Sequence, residues 1–195
     1  MRPSLEELQK FWLLAYSRSS LIDARAFLKA LDAARPRSLQ SRAIIDAAVV
    51  SYARPFTKFQ LTRELRVVPL ANVPPPTHLA EFHQDALDLR NKMIGHKDAT
   101  PAPRHGTTPN IVLVQIDSEG FDVHTIIISE MESTTRNALK ELCAYYINHC
   151  EENLRPLTRG YFSEVMNHSP GKYELVMSKP PDDWIKPFRP KDFRG

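Results

Sequence analysis

Arg90, Asn91 and His96 are the residues whose types and spacing point most directly to a chemical reaction. They lie in the stretch "LRNKMIGHKDA", which has the pattern R-N-x4-H. Histidine transfers protons well because its unperturbed pKa, about 6.5, is close to neutral pH. The guanidinium of arginine keeps its proton and can hold two phosphate oxygens at once. Together, His96 and Arg90 suit the cleavage of a phosphodiester.

Cleavage of RNA through its own 2′-hydroxyl needs no metal ion. A base removes the hydroxyl proton, negative charge collects on the phosphorane, and an acid protonates the leaving 5′-oxygen. Among other histidines, His78 and His83 are five residues apart, whereas a helical metal pair prefers four, and no acidic or cysteine ligand set accompanies them. We therefore expect no metal and no cofactor.

The R-N-x4-H pattern resembles the signature of the HEPN superfamily, whose members are small helical bundles. Its active branch contains metal-independent endoribonucleases of toxin, abortive-infection and CRISPR-associated systems. The stretches "LRNKMIGHKDA" and "SYARPF" look like helical proteins of the abortive-infection type, and the resemblance covers the chain from about residue 5 to 154. It implies an endoribonuclease, of the toxin or phage-defence kind, in which His96 and Arg90 are catalytic and Asn91 orients a partner by hydrogen bonding.

Helix geometry favours a second copy of the chain. Six residues advance a helix by 600°, so Arg90 and His96 lie about 120° apart and cannot share one face. A two-fold axis through this helix would bring both copies of the motif into one cleft, and the resemblance implies the same homodimer. We expect RNA as the substrate, with its backbone bound by nearby cations at Lys92, Lys97 and Arg104.

Other interpretations of the motif stay open. A histidine in the last turn of a helix interacts favourably with the helix dipole, and Arg90 can pair with Asp85 or Asp88. The chain would then be a noncatalytic helical binding module that recognises a protein or a nucleotide. His83 precedes Arg90 by seven residues, about 20° away on the helix, where it either flanks the cleft or is a half-buried residue of the helix face.

Regulation by a partner also stays open. Some toxins that the chain resembles carry a tyrosine two places after the histidine, which a partner nucleotidyltransferase modifies. Asp98 occupies that place here. A switch directed at tyrosine is therefore not expected, whereas an antitoxin or another regulatory partner remains an expectation.

Helices with stiff connections must position these residues. A capping box of Ser4 and Glu7 opens a long or kinked helix that runs to about residue 34. A second helix runs from Ser38 until Pro55 stops it, and a third starts near Thr77 and ends with the motif. A last long helix is predicted to open with the capping box 129–132 and to end before residue 156.

Strand signals occur between the third and the last long helix. The β-branched runs Ile111–Ile116 and Phe121–Ile128 flank a turn-like stretch, which predicts a hairpin over about 111–128. The expected fold class is mainly α: an antiparallel helical bundle with one inserted β-hairpin and an extended C-terminal arm. We divide the chain into a HEPN-like domain, residues 1–177, and a tail rich in proline and charge, residues 178–195. The tail can clip onto a second subunit or wrap single-stranded nucleic acid.

Composition limits the class of protein. A chain of 195 residues and 22.3 kDa, 42% hydrophobic and 25% charged, is typical of one globular domain. The net charge of +3 permits an RNA partner without demanding one. Six glycines and the lack of GxGxxG and GxxxxGK[ST] exclude the commonest nucleotide-binding loops.

Cysteine usage and hydropathy predict the compartment. Cys143 and Cys150 are seven residues apart on one predicted helix, which separates them by about 10 Å, too far for a disulfide. No apolar run approaches the roughly 18 residues of a membrane span. We expect a cytoplasmic protein with reduced thiols and no membrane partner.

Overall fold

The structure is a computed structural model, which describes residues 4–60, 66–91, 110–117, 120–127, 131–166, 171, 173–175 and 185–187. Within these residues the chain forms four α-helices: α1 (Leu5–Leu31), α2 (Leu39–Ala53), α3 (Ala80–Asp88) and α4 (Ser133–Met166). The mainly helical bundle predicted from the sequence is thereby confirmed.

The first helix begins at the predicted capping box. The Ser4 hydroxyl accepts from the Glu7 backbone N–H, and the Glu7 carboxylate accepts from the Ser4 N–H at 2.8 Å. The helix is continuous through residues 17–20, where the buried Ser17 hydroxyl is satisfied within the helix by donating to the Leu13 carbonyl oxygen at 2.7 Å. The helix ends at Leu31, a little before the predicted end.

The second helix begins and ends near its predicted boundaries. The third begins at Ala80, shortly after its predicted start near Thr77, and its predicted end at His96 lies outside the described residues. Ser38 caps α2 by accepting from the Ser41 backbone N–H at 3.0 Å. A 3₁₀ turn at Arg54–Phe56, which contains Pro55, follows α2 directly. A second 3₁₀ turn, Thr77–Leu79, leads into α3 and places Leu79 in the core at 4% exposure.

The last helix is longer than the sequence predicts. It continues through Pro156 to Met166, so the prediction that it ends before this proline was wrong. A proline inside a helix removes one backbone hydrogen bond and crowds the preceding turn, but packing can offset that cost. Here Pro156 is exposed, while Leu154 and Leu157 pack against the core on the other side of the helix.

The start of α4 differs from the predicted one as well. The helix begins at Ser133, and the predicted capping residue Ser129 lies outside the described residues. Glu132 immediately precedes the helix, and its carboxylate accepts from the Thr134 hydroxyl at 3.4 Å.

The core lies between α1, α2 and α4. Ion pairs show that α1 and α4 are antiparallel, because Arg18 pairs with Glu151 at 2.7 Å while the later residue Asp32 pairs with the earlier residue Lys140 at 2.7 Å. The most deeply buried apolar side chains are contributed by these three helices: Leu21, Leu28, Val49, Tyr52, Leu139, Leu142 and Tyr146. The third helix packs against α2 and α4.

Three two-stranded antiparallel ladders accompany the helices in the described part of the chain. The first joins β1 (Phe59–Gln60) to β2 (Arg66–Val67). The longest joins β3 (Asn110–Asp117) to β4 (Gly120–Ile127), between α3 and α4 in the chain, with Asn110 opposite Ile127 and Asp117 opposite Gly120. The third joins β5 (Tyr173–Leu175) to β6 (Ile185–Pro187). The third ladder therefore pairs residues of the predicted domain, 1–177, with residues of the predicted tail, 178–195.

A search of the described helices for a stretch long and apolar enough to cross a membrane found none.

Candidate active site at the end of the third helix

The first two residues of the R-N-x4-H motif lie at the C-terminal end of α3. After Asp88 the backbone forms a π-helical turn over residues 89–91. Leu89 anchors this turn in the core at 7% exposure, whereas Arg90 is half-buried and Asn91 is exposed. π-Helical turns are rare and occur frequently at functional sites. The turn thus presents a guanidinium and an amide at the edge of the bundle.

Arg90 and Asn91 contact each other directly. The Arg90 Nη1 atom donates a hydrogen bond to the Asn91 Oδ1 atom at 2.8 Å. A guanidinium has five N–H donors, so this one bond leaves further donors for an anion. Because the Asn91 amide is neutral, it orients the guanidinium without cancelling its positive charge.

The remaining predicted site residues cannot be placed relative to this pair. His96, Lys92, Lys97 and Arg104 lie outside the described residues. The distance between Arg90 and His96 therefore stays untested, as do the predicted catalytic role of His96 and the predicted RNA-binding role of the three cations.

His83 is a half-buried residue of α3, which is one of the two interpretations of it that the sequence leaves open. Its Nδ1 atom is 2.7 Å from the hydroxyl oxygen of Tyr52, near the end of α2. The Phe56 ring packs edge-on against the imidazole at a centroid distance of 4.7 Å and an interplanar angle of 86°. The ring centroid of Tyr146, on α4, lies 5.8 Å from the centroid of the imidazole. The imidazole thus lies among three aromatic rings, from α2, the 3₁₀ turn after it and α4.

The burial of Tyr52 and His83 determines the protonation state of both side chains. Burial lowers the pKa of His83, because the cationic form loses hydration. Burial also raises the pKa of Tyr52 far above its usual value, with smaller contributions from Tyr146 and Cys143. At neutral pH both groups are uncharged. The direction of the bond follows the tautomer of the imidazole: with the proton on Nε2, the Tyr52 hydroxyl donates to His83 Nδ1.

His78 occupies a surface position with an acidic neighbour. Its Nε2 atom lies 3.0 Å from a carboxylate oxygen of Glu141 on α4, and both side chains are largely exposed. In the part of the chain that the structure describes, no group of three or more His, Cys, Asp and Glu side chains could hold a metal ion.

The two cysteines belong to the core. Cys143 and Cys150 are free thiols with 0% exposure on the buried face of α4. Burial raises the pKa of the Cys143 thiol to about 12 and that of Cys150 to about 11. A thiol that keeps its proton at neutral pH is a poor nucleophile, so these side chains contribute packing.

Sequence reasoning missed the contribution of Tyr52. No motif in the sequence singles it out, although it is the partner of His83 and is 1% exposed. A usable signal was present in "SYARPF", because Tyr52 and Phe56 are four residues apart and share one side of the chain. Their ring centroids are 5.4 Å apart.

Comparisons with protein-family models, with curated proteins and with solved structures found no match to this chain.

Proposed function

We propose that this protein is a metal-independent endoribonuclease of HEPN type that cleaves RNA by attack of the 2′-hydroxyl on the adjacent phosphodiester. The observation that carries the proposal is the hydrogen bond from Arg90 to Asn91 at 2.8 Å on an exposed turn. This bond orients the Arg90 guanidinium, a group whose chemistry suits phosphate binding, and so supports the proposal. The β3–β4 ladder and the C-terminal arm are interpreted as additions to the catalytic bundle.

The proposed reaction divides the work among three side chains. A base removes the proton of the 2′-hydroxyl, the freed oxygen attacks phosphorus, and the bond from phosphorus to the 5′-oxygen breaks. An acid then protonates that leaving oxygen, which gives a 2′,3′-cyclic phosphate and a 5′-hydroxyl. In a homodimer the two copies of His96 would supply the base and the acid. Arg90 would stabilise the charge on the phosphorane.

Asn91 has a supporting role in this proposal. Its amide restricts the guanidinium of Arg90, so less conformational entropy is lost when a phosphate binds. Lys92, Lys97 and Arg104 would contact the phosphates on either side of the scissile bond. No metal ion takes part in any step.

The decisive experiment is RNA digestion in excess EDTA. We expect the wild-type protein to release fragments with 2′,3′-cyclic phosphate ends and to leave RNA with a 2′-deoxy nucleotide at the cleavage position intact there. Arg90→Ala and His96→Ala should each reduce cleavage by about 10²- to 10⁴-fold, because each removes a group that acts in the transition state. Both variants should keep the wild-type circular dichroism spectrum.

Two control variants remove an arginine or a histidine that lies outside the motif. Arg159→Ala removes an exposed arginine of α4, and His78→Ala removes an exposed histidine outside the motif. Both should cleave RNA at the wild-type rate. If the wild-type protein does not cleave RNA, or if the motif variants cleave it equally well, the noncatalytic binding module becomes the better interpretation.

A further inference from the structure

The third helix, α3, is short; it packs against α2 and α4, and its partly buried Phe82 contacts the core. The helix has only nine residues, and a helix this short is not stable alone in water. Its buried apolar anchors are Ala86 within the helix and Leu89 directly after it. Apolar contacts keep a helix on the core, but they are not directional and restrict rotation about its axis only weakly.

The Tyr52–His83 hydrogen bond gives α3 a directional contact. It joins the end of α2 to the middle of α3 at 2.7 Å, and its geometry favours one angle between hydroxyl and imidazole. The edge-on contact with Phe56 restricts the plane of the imidazole further. A rotation of α3 would therefore break a buried hydrogen bond and disturb the packing of an aromatic ring.

Such a rotation would move the motif. Arg90 follows His83 by seven residues, about two helical turns. Turning α3 by about 20° displaces a group about 6 Å from its axis by about 2 Å. A misplacement of about 1 Å in a catalytic group can cost about 10²-fold in rate.

We infer that Tyr52 and His83 are positioning residues that hold α3, and with it the Arg90–Asn91 turn, in the orientation that a phosphate requires. The inference deepens the proposed RNA cleavage and rests on it for its catalytic meaning. Its structural part, the restraint of the turn by a buried hydroxyl–imidazole bond, can be measured without any substrate.

The first measurement is hydrogen exchange of the backbone amides of Arg90 and Asn91, followed by NMR. Tyr52→Phe keeps the ring and removes only the hydroxyl, and we expect exchange about tenfold faster at both amides. His83→Leu should have the same effect. His83→Asn places a carbonyl oxygen near the former Nδ1 position as an acceptor, so exchange should return close to the wild-type rate.

Tyr145→Phe is the matched control. Its hydroxyl donates to the Pro74 carbonyl oxygen at 3.2 Å, in the segment before α3, and it lies beside Tyr146 on α4. This variant also loses one hydroxyl hydrogen bond but leaves the Tyr52–His83 pair intact. Exchange at Arg90 and Asn91 should stay at the wild-type rate.

The second measurement is RNA cleavage by the same variants. Tyr52→Phe should lower kcat about tenfold with little change in KM, and it should cause no further loss when Arg90 is already alanine. If Tyr52→Phe cleaves RNA and exchanges amides as the wild-type protein does, the positioning inference is overturned and the proposed function stands. If the wild-type protein never cleaves RNA, the proposed function fails, while the exchange rates still decide whether the pair restrains the turn.

Discussion

At the scale of single residues, His83 shows how burial alone changes the chemistry of a side chain. Its imidazole is partly buried and is hydrogen-bonded through Nδ1 to the Tyr52 hydroxyl, and burial lowers its pKa. A protonated His83 would place a cation among aromatic rings, and its Nδ1 atom could no longer accept the tyrosine proton. The neutral form is therefore the one that the folded protein stabilises.

This environment predicts a pH-dependent stability. The pKa of His83 lies near 6.5 in the unfolded chain and lower in the folded one, so between the two values the unfolded state binds more protons. The free energy of unfolding should thus fall as the pH drops below about 6.5, by at most about 1.4 kcal/mol per pH unit from this residue. Urea unfolding at pH values between about 4.5 and 8 measures this decrease in the free energy of unfolding.

The contribution of His83 is isolated by comparing variants. His83→Asn cannot titrate in this range and should flatten the decrease in stability on acidification. His78→Asn replaces an exposed histidine and serves as the control. Equal pH dependence in the wild-type protein and in His83→Asn would show that the buried imidazole is not responsible.

At the scale of elements, α4 shows that tertiary packing can extend a helix beyond a proline. Its 34 residues contain Pro156 and, one turn later, Gly160. Both residues are poor helix formers in isolation. The helix continues because Leu154 and Leu157 reach the core on either side of the proline.

Substitution of these two residues tests the continuation. Pro156→Ala restores a backbone hydrogen bond in an exposed part of α4 and should raise the free energy of unfolding by about 1–3 kcal/mol. Gly160→Ala should raise it by about 0.5–1 kcal/mol, since an added Cβ atom meets nothing within 4 Å. Chemical denaturation gives both values, and a decrease in stability for either variant would argue that the helix ends earlier.

At the scale of the whole molecule, a cleft with two copies of the motif remains a proposal. One chain presents one Arg90–Asn91 turn at the edge of a bundle. The proposed reaction needs a base and an acid, and one motif contains one histidine. A two-fold symmetric pair would supply both from identical subunits.

Self-association can be measured directly. Sedimentation equilibrium should give a mass twice the 22.3 kDa of one chain. Cleavage activity per mole of protein should fall when the protein is diluted until subunits separate, since the composite cleft is then lost. A monomer that cleaves RNA with undiminished activity at every dilution would contradict the two-subunit site.

Local sequence signals determined much of the helical framework. The serines that cap α1 and α2 act through hydrogen bonds within three residues, so they are readable from the sequence alone. The end of α2 near Pro55 is also readable from the sequence, because proline restricts the backbone immediately before it. The R-N-x4-H motif, too, could be found from residue types and spacing.

Contacts between distant residues decided the rest. Tyr52 and His83 are 31 residues apart, and nothing local to either predicts a bond of 2.7 Å between them. The passage of α4 through Pro156 depends on the core that α4 forms together with α1 and α2. The sequence alone predicts where α1 and α2 begin and which side chains could react. Which side chains become buried, and which helices restrain one another, is set by the tertiary structure. Burial and directional contacts arise only when segments that are distant in the sequence pack together.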